Sequence, residues 1–185
     1  MSSDKLDRLA KAPLQEILHL LFRQLDGALR QRDPSLDTSA WRDLIAALEA
    51  GETPESVTRL AAVLIALVED KLKTLRDRFS VDFAGSLAAD ITQMTDWEST
   101  AEFLSIAEEK AQAEQEIVIA SALLVACGRS EYASYLIEVI EDDAGALDVD
   151  AVIARRLLLH AGAIDATNAD APSQARAWLE NRSHR

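Results

Sequence analysis

The sequence predicts an all-α fold, a helical bundle of seven to nine helices, with a short α-solenoid as the arrangement its C-terminal half suggests. Three observations predict it. Apolar residues make up 49% of the 185, yet aromatic residues only 5%. Gly and Pro number just 6 and 4. Between the few turn signals, apolar residues recur at helical spacing. A chain with so few aromatic residues does not read as a β-sandwich, and one so apolar does not read as disordered. We expect a single all-helical domain over 1–185.

The first periodic segment opens at Pro13, whose missing N–H suits a first helical turn. Leu14, Leu18, Leu21, Leu25 and Ala28 then form a stripe that ends near Gln31, ahead of Asp33-Pro34. A short second helix carries Trp41, Leu44, Ile45 and Leu48 and stops at Gly51. Thr53-Pro54-Glu55 reads as a hydroxyl cap, a proline at the first helical position and an acid on the positive helix end. The helix it opens runs to about Phe79, apolar almost all round in its first half and basic outside from Lys71 to Arg78. Ser80 is read as capping a fourth helix with Phe83, Leu87, Ile91 and Met94 on one face.

Thr95-Asp96-Trp97-Glu98 has capping-box form. From Trp97 to Cys127 there is neither Gly nor Pro, so one helix of some 30 residues is permitted. Its middle, Glu108 to Glu116, has only alanines as apolar residues, which means either a solvent bridge or a hidden break. Beyond Gly128 a helix carries Tyr132, Tyr135, Leu136, Val139 and Ile140. Asp148 or Asp150 is read as capping the next, which ends at Gly162. Pro172-Ser173 starts the last one, with Trp178 and Leu179.

The net charge of −13 is unevenly spread. Residues 1–80 hold 12 basic and 13 acidic side chains, a near-neutral half; the acidity belongs to 81–185 and is concentrated in 82–150, with 2 basic against 16 acidic. This argues against direct nucleic-acid binding, which needs a basic footprint. It also marks Glu108, Glu109, Glu114, Glu138, Glu141, Asp142 and Asp143 as the expected contacts for a protein partner with a basic surface. A single cysteine, Cys127, excludes an intramolecular disulfide. Charged residues near the N-terminus and no apolar run near 20 residues suggest a cytoplasmic protein without a membrane segment.

Self-comparison finds a repeat. Val118-Ile119-Ala120 and Leu123-Leu124 lead to Gly128, and Val152-Ile153-Ala154 and Leu157-Leu158 lead to Gly162, offset by 34 throughout. That period, with Gly128-Arg-Ser-Glu-Tyr-Ala133 as a turn, resembles tetratricopeptide-type helical hairpins over residues 115–162. The resemblance implies a helical array that binds partners through its grooves. Leu157-Leu158-Leu159-His160-Ala161-Gly162 resembles the end of an ankyrin second helix instead, but no ankyrin turn accompanies it.

Two spacings invite chemistry. Glu16-Ile17-Leu18-His19 is a Glu-x-x-His pair of the ferritin-like di-iron kind, but no second copy exists at His160, where position 157 is Leu. We expect no metal and no cofactor. Arg155 and His160 resemble the Arg-x4-His signature of HEPN ribonucleases, which implies an imidazole for proton transfer and a guanidinium for phosphate charge. Arg156 and Gly162 depart from that signature, and the surroundings are acidic. The leading expectation is therefore a non-catalytic protein-interaction module: an adaptor, regulator or assembly factor using an acidic surface and inter-helix grooves. The alternatives are an acidic mimic of nucleic acid that inhibits a DNA- or RNA-binding protein, and the ribonuclease. A homodimer through Trp97, Phe103 or Tyr135 stays open.

Overall fold

The computed structural model describes residues 8, 10–36, 40–50, 54–79, 97–142, 149–165 and 170–183. The fold is all-α, and no strand occurs among these residues. Seven helices follow one another: α1 (Leu14–Arg32), α2 (Ala40–Ala50), α3 (Glu55–Arg78), α4 (Trp97–Ala126), α5 (Ala133–Asp142), α6 (Val149–His160) and α7 (Ala171–Ser183). A 3-10 turn, Ser130–Tyr132, precedes α5. The helix expected over Phe83–Met94 and the caps at Ser80 and Thr95 lie outside the described residues.

Helix α4 organises the bundle. It packs most extensively on α3 and also touches α1, α5 and α6. Ion pairs give the direction of the α3–α4 pair. Lys71 meets Glu116 at 2.8 Å, and seven residues further along α3 Arg78 meets Glu109, seven residues back along α4. The two helices are therefore antiparallel. At 1.5 Å per residue α4 is about 45 Å long and α3 about 36 Å, so the first turns of α4 run past the end of α3. Leu104, in those turns, is 54% exposed, the one large apolar side chain so exposed among the described residues.

Buried side chains from all seven helices join one core cluster. The α1 stripe enters it through Ile17, Leu18, Leu21, Phe22, Leu25 and Leu29. The first half of α3 adds Val57, Leu60, Leu64, Leu67 and Val68, facing Leu123 and Leu124 of α4 in the same core. The polar middle of α4 is neither a break nor a bridge through solvent, because the helix is continuous and Lys71 and Arg78 of α3 face its acids.

One expected cap differs: Pro54 stands outside α3 as its N-cap residue, with no side-chain capping bond, and Thr53 is not among the described residues. Of the two acids read as capping α6, Asp150 lies inside its first turn, where its charge favours the helix end, and Asp148 lies outside the described residues.

The 34-residue offset reappears as matched helix ends. Gly128 (φ 83°) and Gly162 (φ 71°) both adopt the left-handed conformation. The Gly128 N–H donates to Val125 O at 3.0 Å and the Arg129 N–H to Leu124 O at 2.9 Å. The Gly162 N–H donates to Leu159 O at 3.1 Å and the Ala163 N–H to Leu158 O at 2.8 Å. These are two Schellman caps with partners 34 apart at every position. Pro172 falls in the first turn of α7, where a missing N–H costs nothing. Helix α7 rests on α5 and on the 3-10 turn more than on α6.

Candidate functional site

Helices α3, α4 and α5 together form a groove of about 430 Å³. Each contributes residues at helical-face spacing: Leu72 and Leu75 from α3; Glu114, Ile117 and Val118 from α4; Tyr135, Glu138 and Val139 from α5. The floor is apolar. Ile117 is buried, and Leu72, Leu75, Val118, Tyr135 and Val139 are half-buried. Glu114 and Glu138 are exposed on either side. Glu114 has only a loose, exposed pairing with Lys110 at 3.4 Å, worth little in water. Glu138 has no ion pair among the described residues. Burial, and then the Glu138 charge, raise the Tyr135 hydroxyl above the ordinary tyrosine range. On Tyr132, at the same end of α5, burial and then the charges of Glu131 and Glu69 act in the same direction.

The seven acids expected to meet a partner are thus divided. Glu114 and Glu138 share the groove. Glu108 lines a separate polar cleft of about 520 Å³ with Gln24, Gln112, Gln115 and Glu116. Glu109 is tied to Arg78. Glu141 accepts two hydrogen bonds from Arg176 of α7, each 2.5 Å, which hold its carboxyl below the usual carboxylate range. The side chain of Asp142 and the whole of Asp143 lie outside the described residues. The sequence did not reveal the groove as a unit, because its apolar floor is shared among three helices: Leu72 and Leu75 lie outside the acidic segment, and Ile117, Val118, Tyr135 and Val139 within it.

The other candidates are placed as follows. Arg155 is half-buried and His160 exposed at the end of α6, with no hydrogen bond or ion pair between them. Glu16 is exposed, while His19 lies half-buried with its ring in edge contact with Trp41, centroids 4.6 Å apart. No cluster of three or more His, Cys, Asp or Glu suited to a metal occurs among the described residues. Burial pushes the Cys127 thiol up to about 12 against a weaker opposing pull from Arg129, so it stays protonated at neutral pH. Of the residues considered for a dimer face, Tyr135 lines the groove; the side chains of Trp97 and Phe103 are outside those described. No described helix is long and apolar enough to cross a membrane. No protein-family model, curated protein or solved structure matches this chain.

Proposed function

We propose that the protein is a non-catalytic helical interaction module that holds an amphipathic, basic-flanked helix of a protein partner in the groove between α3, α4 and α5. The observation that carries this reading is the pairing of an apolar floor with two exposed carboxylates, Glu114 and Glu138, at its sides. An amphipathic helix lays apolar anchors spaced i, i+3, i+4 and i+7 into such a groove. Lysines or arginines beside those anchors would meet the two glutamates and speed association in a salt-dependent way.

The test uses two labelled amphipathic peptides with identical apolar anchors, one flanked by lysines and one by glutamates. Fluorescence anisotropy is expected to show tighter binding of the lysine-flanked peptide, weakening as salt rises. The double variant Glu114→Lys with Glu138→Lys is expected to reverse the preference. Equal binding of both peptides, or no binding of either, overturns the reading.

A further inference from the structure

A second cleft lies at the opposite side of the charge balance. It sits between α1 and α2, encloses about 640 Å³, and is floored by Leu20, Trp41 and Ile45 with Ile17 beneath. Trp41 is held by the edge contact with His19 yet remains half-buried rather than buried. Arg8 and Arg23 line the cleft, together with one carboxylate, Glu16. Among the described residues Arg30, Arg32, Arg59, Arg78, Arg129 and Arg176 each pair with a carboxylate. Arg8 and Arg23 have no ion-pair partner among the described residues, and among the described lining residues two guanidiniums stand against one carboxylate.

We infer that this cleft binds a small organic anion: a carboxylate with a flat apolar body. The volume falls within the range of small-molecule sites, which combine apolar walls with a few convergent polar groups. The apolar body would lie against Trp41, Ile45 and Leu20, and the carboxylate would accept hydrogen bonds from the forked guanidinium of Arg8 or Arg23. Glu16 sets a sign preference, because it disfavours a second negative charge on the ligand. This site shares no residue with the α3–α4–α5 groove and stands or falls independently of it.

The test titrates the full chain with 1-naphthoate and its neutral counterpart 1-naphthamide, following the Trp41 indole N–H by NMR, assigned with Trp41→Phe. Naphthoate is expected to shift that signal saturably and to bind about fivefold more tightly than the amide, the scale of one exposed charge-assisted contact. The exposed double substitution Arg8→Gln with Arg23→Gln is expected to abolish the difference while leaving the indole signal of the free protein in place. Glu16→Gln is expected to tighten naphthoate binding. Equal binding of the two probes, no saturable change at Trp41, or an anion preference that survives the double substitution overturns the proposal. So does a Trp41 shift produced by a glutamate-flanked amphipathic peptide but not by naphthoate, since the cleft would then serve a protein partner.

Discussion

The antiparallel pair of α3 and α4 has two ends built on different physics. At one end Leu60, Leu64, Leu67 and Val68 belong with Leu123 and Leu124 to one buried apolar core. At the other, Lys71 and Arg78 meet Glu116 and Glu109 across the same helix pair. The apolar end draws its stability from surface removed from water. The ionic end contributes little net energy, since exposed pairs are screened and desolvated ones repay their own cost. What the ionic end supplies is register: α4 crosses a stretch of Ala, Glu, Gln and Lys, all good helix formers, and Lys71 and Arg78 fix which of its acids face α3. Counting charge by halves of the sequence therefore misjudges the surface. Two cations of the near-neutral half, Lys71 and Arg78, and Arg176 of α7 pair with acids of the segment, so Glu116, Glu109 and Glu141 are already answered inside the molecule.

The largest expected effect breaks the apolar end. Leu123→Ala or Leu64→Ala, at positions 0% exposed, is expected to cost about 2–5 kcal/mol by urea unfolding with an unchanged slope. At the ionic end, Lys71→Met leaves the half-buried Glu116 without its cation. A cost of about 1–2 kcal/mol is expected, with part of it recovered by adding Glu116→Gln. If Lys71→Met costs as much as Leu123→Ala, the two ends do not differ as argued.

The matched helix ends give the next comparison. Gly128→Ala and Gly162→Ala each force a side chain into the left-handed region, and each is expected to destabilise by about 1–2 kcal/mol. Nothing crowds either position, so the cost is conformational and should be equal at both. Gly27→Ala, inside α1 with open space around it, is expected to stabilise by about 0.4–1 kcal/mol. Unequal effects at 128 and 162 would show that the two caps, though alike in hydrogen bonding, do not carry the same strain.

How much of this was legible follows from where each signal resides. The α1 stripe, the all-α class and the glycine ends at 128 and 162 rest on local spacing, and the structure reproduces them. What faces the polar middle of α4 was undecidable along the chain, because the partners of Glu109 and Glu116 lie 31 and 45 residues away, in Arg78 and Lys71. Asp148 and Asp150 could not be told apart as caps because capping depends on the phase of one or two residues; with α6 starting at Val149, Asp150 falls inside the first turn. Among the candidate acids, position alone could not separate Glu141, held by Arg176, from Glu138, left at the groove. The cleft of Trp41, Arg8 and Arg23 combines residues distant along the chain around His19, which the sequence marked only through its spacing from Glu16.

The smallest effect concerns that same Glu141. Arg176 lowers its pKa in the folded chain from an ordinary 4.5. A carboxylate depressed on folding adds stability above its unfolded pKa and loses it as pH falls through the folded value. Glu141→Gln is therefore expected to lower the urea midpoint slightly at neutral pH, while the two proteins converge well below pH 4.5, where both carry a neutral side chain. Half a molar salt should shrink the neutral-pH difference, because the pair is exposed. Glu138→Gln, one turn earlier on α5, acts on Arg176 only through its charge and without an ion pair among the described residues, so it is expected to lower the neutral-pH midpoint less than Glu141→Gln. If Glu138→Gln lowers the neutral-pH midpoint as much as Glu141→Gln, Glu138 is committed to the fold as well. The distinction between an acid committed to the fold and an acid left for a partner would then fail at the groove itself.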